Sequence, residues 1–192
     1  GGFREGKCSS DPYTDSPLDA GAGLSVTAQT YPITVGAGGA AGEAQPSPNN
    51  PSGQGTWGAP GSNSIFSTIT SAGGGGGAKE PYPTGEPTTH VDGGVGRPGG
   101  SGGGGSYTSS STPQAGTGGT GNTPPVSPPQ GNNGGTSPSV GSGSPYNAAQ
   151  GGGGATAAGT GVAGSGGCAG GGAGATTHIS GSPVAYAGGG GG

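Results

Sequence analysis

The sequence predicts a mostly irregular fold with short β-strands, glycine tracts packed as polyglycine-II-like extended helices, and little or no α-helix. Three observations lead there. Of the 192 residues, 56 are Gly and 19 are Pro, more than the roughly 25–30% that marks a low-complexity chain. Leu, Ile, Val and Phe together number only 16, so a conventional side-chain core is not available. No segment carries a 3.6-residue apolar period, while β-branched and aromatic residues gather in short runs just ahead of glycine tracts.

Taken in order, residues 1–20 form a charged opening segment with Arg4, Glu5, Lys7, Asp11, Asp15 and Asp19, made turn-rich by Pro12 and Pro17. Residues 21–106 read as a glycine-rich module of strands and tracts. In LSVTAQTYPITV (24–35), Leu24, Val26 and Ala28 alternate, and Ile33 and Val35 follow the break at Pro32. Two short strands are expected, the second confined by Pro32 to an edge or a strand start. A third strand is expected over 64–70, with Ile65, Phe66 and Ile69 as its anchors beside Ile33 and Val35, running directly into a glycine tract. Residues 107–150, which include TPPVSPPQ (123–130), read as an extended linker rich in Pro, Ser, Thr and Gly and biased to polyproline II. Residues 151–192 form a second glycine-rich module, and its ISGSPVAYAGGGGG (179–192) echoes ITSAGGGGG (69–77). The chain holds no Met and is expected to be a piece of a longer protein.

The glycine tracts decide between a floppy linker and an ordered material. An isolated glycine run is a random coil. Packed beside others it takes an extended form with three residues per turn and about 3.1 Å rise, without internal hydrogen bonds. Its N–H and C=O groups then point outwards, and neighbouring chains, free of side chains, come close enough to pair with them. The structural tracts expected to do so are Gly73, Gly74, Gly75, Gly76 and Gly77; Gly102, Gly103, Gly104 and Gly105; and Gly151, Gly152, Gly153 and Gly154, together with 36–42, 166–174 and 188–192. Ordering a residue costs about 1–2 kcal/mol against about 0.5–1.5 kcal/mol per net hydrogen bond. Strands that pin the tracts in register, and oligomerisation, are expected to help.

The same composition excludes several function classes. Four basic residues and a net charge of −4 leave no cationic footprint for nucleic acid, and no run approaches the roughly 18 apolar residues of a membrane span. GGFREGKC (1–8) matches the spacing of a phosphate-binding loop, but Cys8 stands where Ser or Thr is needed and SSDPYTDSP comes next instead of a helix. GVGRPG (94–99) fits a dinucleotide fingerprint only by chance, since Pro98 breaks the required helix. Cys8, Cys168, His90 and His178 lack the close pairs of a metal site. No metal, cofactor or catalytic residue is assigned. A Cys8–Cys168 disulfide is left open by the sequence. Trp57 and the tyrosines are read as part of what core there is.

AQTYPITVGAGGAAG (28–42), GSNSIFSTITSAGGGGGA (61–78) and DGGVGRPGGSGGGG (92–105) resemble the glycine-rich domain of tailed-bacteriophage structural proteins. GNTPPVSPPQGNNGG and ATTHISGSPVAYAGGGGG resemble the segments C-terminal to that domain in such proteins. The resemblance covers most of the chain. It implies a tail-fibre or adhesin-like virion part, polyglycine-II packing, action by assembly and surface contact, and no catalysis. The partners it implies are further copies of the chain or other virion proteins, with a host-surface receptor as a further candidate. The location it implies is the virion. A cellular extracellular or cell-wall glycine-rich fibre is the alternative, and an ice-binding polyglycine-II protein a third reading, disfavoured by the irregular inserts.

Overall fold

The computed structural model describes residues 1–43, 55–79, 94–107, 116–137, 148–162 and 168–192. Among them there is no helix. Seven short strands form three small antiparallel sheets, so the chain is mostly irregular with small sheets. β1 (Ile33–Thr34), β2 (Ser64–Phe66) and β3 (Ile69–Ser71) make a meander. β4 (Ser106–Tyr107) pairs with β5 (Ala148–Ala149), and β6 (Ala175–Thr177) with β7 (Val184–Tyr186).

Two strand expectations need correction. Residues 24–28 form no strand, and Val26 is left 59% exposed; alternation alone does not make a strand without a partner edge. The single strand expected over 64–70 is a hairpin. The chain reverses at Ser67, whose φ of 52° is left-handed, so that Phe66 faces Ile69 and Ile65 faces Thr70. Ser-Thr is not among the preferred two-residue hairpin turns, which hid the reversal. The anchors Ile33, Ile65, Phe66 and Ile69 do lie in this sheet, and Val35 directly follows β1.

The rest of the described chain is a set of extended, glycine-rich segments, here called rods: rod 1 (36–43), rod 2 (56–62), rod 3 (72–78), rod 4 (94–100), rod 5 (101–106), rod 6 (116–122), rod 7 (131–137), rod 8 (150–155), rod 9 (157–162), rod 10 (168–174) and rod 11 (188–192). They are bonded to one another through backbone groups in steps of three residues. Gly58 and Gly61 donate to the carbonyls of Gly77 and Gly74, Gly75 and Ala78 to those of Ser101 and Gly104, and Arg97 and Gly100 to those of Gly76 and Gly73. Gly102 and Gly105 donate to Asn132 and Gly135, and Gln150 and Gly153 to Gly105 and Gly102. Residues that bond to the same neighbour recur every third position, so one rod addresses several neighbours.

Rod 5 lies at the centre, and residues 99–105 are all buried. It bonds to rods 3, 4, 6, 7 and 8, and these bond in succession around it: rod 3 to 4, 4 to 6, 6 to 7 and 7 to 8. Ser101 at 4% exposure is the only non-glycine in this buried run. Buried apolar side chains among the described residues are alanines alone: Ala72, Ala148, Ala155, Ala169 and Ala175. The interior is therefore backbone. Its groups find partners in neighbouring rods rather than in water, as buried peptide groups require.

The stretch 107–150 is not a spacer between two modules. Residues 116–122 and 131–137 are rods of the same array, and rods 5 and 8, from the two glycine-rich stretches, bond directly. Nor does 123–130 run as polyproline II. It is a tight loop in which Asn122 Oδ1 accepts from Val126 N at 3.1 Å and Gln130 N at 3.2 Å. Of the expected tracts, residues 166–167 lie outside the described residues.

The opening segment is folded onto β6. Glu5 accepts from Ser16 N (2.9 Å) and from Thr177 Oγ1 (2.6 Å), and His178 N donates to Thr14 O. Burial alone would raise the Glu5 carboxyl's pKa, but the hydrogen bonds from Ser16 and Thr177 outweigh it and hold it below its ordinary value. A depressed carboxylate pKa stabilises the fold above the unfolded-state value, and that contribution is lost as pH falls through the folded-state value. The Ser16 amide resonance is therefore expected to move, and its exchange to quicken, only below the usual glutamate range. In Glu5→Gln this acid transition should vanish; an unchanged pH profile in that variant would refute the assignment.

Candidate contact surface

The direction of every rod is set by its bonds. Rod 1 leaves β1, rod 2 returns antiparallel to it into β2, and rod 3 leaves β3 antiparallel to rod 2. Rod 4 is antiparallel to rod 3, rod 5 to rod 4, rod 6 to rod 5 and rod 7 to rod 6. Rods 8 to 11 continue the alternation through Asn132–Gly154, Gly151–Thr160, Thr160–Gly170 and Gly189–Gly172 bonds. The path is strictly up and down, so the array has two ends with different chemistry.

At the first end lie the β1–β3 sheet, the opening segment, the 121–130 loop, the 155–157 turn and the β6–β7 hairpin. These connections are tied down. Gln130, the largest fully buried side chain among the described residues, accepts from Ala72 N at 2.8 Å and donates through Nε2 to Pro124 O at 2.9 Å. Its backbone carbonyl accepts from Phe3 N. Apolar groups are also exposed here. Ile33, Phe66 and Ile69 are cross-strand partners on one face, with Ile33 71% exposed and the Tyr31 ring 5.8 Å from that of Phe66.

The opposite end receives every other connection. The residue pairs 43/55, 79/94, 107/116, 137/148 and 162/168, which bound the stretches outside the described residues, all stand at that end of their rods. β4–β5 sits there too, and Ser106 Oγ donates to Lys79 O at 2.7 Å. On its flank the Trp57 ring carries Lys79 Nζ at 4.2 Å and Arg97 Cζ at 4.4 Å from its centroid. Such cation–ring contacts are worth about 0.5–2 kcal/mol. Trp57 thus ties rods 2, 3 and 4 together; a ring and two cations distant in sequence gave no local signal of this.

The residues that imitate catalytic and metal motifs are not brought together. In residues 1–8, Gly2 N donates to Ala72 O, Lys7 Nζ pairs with Asp15 at 3.2 Å, and no helix comes after. Among the described residues there is no group of three His, Cys, Asp or Glu side chains that could hold a metal; His90 and Asp92 lie outside them. Cys8 and Cys168 are free and exposed. The pairing that the sequence left open is not made: Cys8 belongs to the opening segment at the first end, and Cys168 begins rod 10 at the other. No described helix is long and apolar enough to cross a membrane.

The expected tracts 73–77, 102–105 and 151–154 fall in rods 3, 5 and 8, three of the rods that meet around the centre. Rods 2, 4, 6, 7 and 9 hold no pure glycine run and are not among the tracts expected from the sequence. No family model, no curated protein and no solved structure matches this chain.

Proposed function

We propose that the chain is a structural, non-enzymatic segment of a tailed-bacteriophage virion, a tail-fibre or adhesin-like part, and that its rods are polyglycine-II helices. The helix assignment is supported by the three-residue bonding step and by the tightness of the array. A Cβ added at Gly73, Gly75, Gly76, Gly102, Gly104 or Gly134 would fall on the carbonyl oxygen of another rod. The observation that carries the contact function is the path of the chain. Described connections at one end are short or internally bonded, whereas five stretches of 5 to 14 residues, among them EPYPTGEPTTHVDG (80–93), begin and end at the other. A scaffold that gathers several connections at one end suits surface recognition. The apolar first end suits assembly with copies of the chain or with other virion proteins. A host-surface receptor is the partner for the second end.

Replacing residues 80–93 with a Gly/Ser segment of equal length is expected to abolish adsorption of particles to host cells while leaving the unfolding midpoint unchanged. Undiminished adsorption would overturn the contact role. Recovery of the chain only outside phage particles, by mass spectrometry of purified virions, would overturn the virion assignment.

A further inference from the structure

Two of the chain's four basic side chains meet on its single tryptophan. Rods 2 and 4 flank rod 3 at one level, where Gly58 N donates to Gly77 O and Arg97 N to Gly76 O. Rod 3 carries no side chain over 73–77. The Trp57 ring from one flank therefore meets the Arg97 guanidinium from the other, with Cζ 4.4 Å from the ring centroid. Lys79, just past the end of rod 3, brings Nζ to 4.2 Å from the same centroid. Two positive charges share one ring in a chain whose net charge is −4.

The donors gathered there lack acceptors. Contact with a ring leaves the five N–H groups of a guanidinium to bond elsewhere. Arg97 is exposed, and its side chain makes no hydrogen bond or ion pair with a described residue. The Trp57 indole N–H has no described acceptor either. Glu43, whose backbone bonds to Thr56 beside the tryptophan, forms no ion pair. The other described acids, Glu5, Asp11, Asp15 and Asp19, belong to the opening segment at the first end. Arg97 is thus held by a ring, beside a second cation, and not by a carboxylate.

We infer that Arg97, Trp57 and Lys79 form a binding site for the carboxylate of an acidic polysaccharide. The guanidinium fork matches the two coplanar oxygens of a carboxylate. The ammonium adds a second charge, and the indole N–H donates to a hydroxyl oxygen of the same sugar. Both long side chains already rest on the ring, so less freedom is lost on binding. The inference deepens the contact role and rests on it only for where such a polymer is met, since the site lies on the flank of the second end.

The test titrates a soluble oligogalacturonate into the intact chain and follows the fluorescence of Trp57, the only tryptophan. A saturable change is expected, weakened by salt as the charges are screened. The methyl-esterified oligomer and inorganic phosphate at the same concentration should give none. Arg97→Gln is expected to weaken binding about tenfold or more, the scale of losing a hydrogen bond to a charged group. Arg97→Lys keeps the charge and loses the fork, so its affinity should lie between the two. Arg4→Gln makes the same charge change in the opening segment and should bind as the unmodified chain does. Unfolding midpoints are measured alongside, and Arg97→Lys carries the test if the Gln variant does not fold. The 80–93 replacement should keep this binding while losing adsorption, which separates the two readings. Overturning results are no saturable change in the unmodified chain, an equal response to the ester or to phosphate, unweakened binding in either Arg97 variant, an equal loss in Arg4→Gln, or loss of binding in the 80–93 replacement.

Discussion

Gly102→Ala is expected to destabilise the fold by about 3 kcal/mol or more, a cost at the upper end of those for overpacked cores. One methyl group has this effect because the position allows no movement. The added Cβ lands on Gly119 O and also lies 3.0 Å from Gly134 N, and both are backbone atoms of rods held from other sides. Gly119 N donates to Gly103 O, and Gly134 N to Gly119 O, so relief at one contact breaks register at the next. Gly38→Ala is the comparison. Its Cβ meets nothing within 4 Å and its φ is not left-handed. Removing glycine's freedom from the unfolded chain should there stabilise by about 0.5 kcal/mol. Denaturant unfolding of the two variants measures the difference. Equal midpoints would mean that close approach of rods does not hold the structure together.

A mostly irregular chain with short strands and no described helix was legible because composition dictates it: too few apolar side chains for a core and too many glycines for helices. The pure glycine runs in rods 3, 5, 8 and 11 were legible as well. The other rods were not, because what orders them is a bond to a segment far away in sequence. Rod 6 depends on Gly119 meeting Gly103, and rod 7 on Asn132 meeting Gly154. What remains locally is spacing. Gly96 and Gly99, Gly116 and Gly119, and Gly131 and Gly134 stand three apart, and an added Cβ at each would collide with another segment. Residues between them or beside them, such as Thr117, Thr120 and Thr136, face outwards and are exposed. A search for such pairs, rather than for a sustained three-residue repeat, would have found these rods. The two-ended character was legible only in part. Proline-rich inserts are plain in the sequence, but that they share one end depends on how many rods separate them.

Gln130→Glu is expected to be strongly destabilised at neutral pH and nearly restored in acid. The wild-type side chain bonds at both of its ends, accepting from Ala72 N through Oε1 and donating to Pro124 O through Nε2. A neutral carboxylic acid can do both. A carboxylate keeps the bond from Ala72 but sets a second lone pair against Pro124 O, and it does so at a site 1% exposed. Among the described residues no cation bonds to this side chain. Burial without a counter-charge raises a carboxyl pKa in the folded state. A raised folded-state pKa gives stability that is present below the unfolded-state value and is lost as pH rises. The deficit relative to wild type should therefore be small near pH 4 and grow toward pH 7 to about 3 kcal/mol, the scale of an uncompensated buried polar group. Gln130→Leu removes the titration. It leaves the buried Ala72 N–H unpaired and should cost about 2 kcal/mol at every pH. The Ala72 N–H joins the strand that ends at Ser71 to the glycine run that starts at Gly73, so this side chain fixes where rod 3 begins. A pH-independent deficit in the Glu variant would place Gln130 outside that junction and leave the register of rod 3 to its neighbours alone.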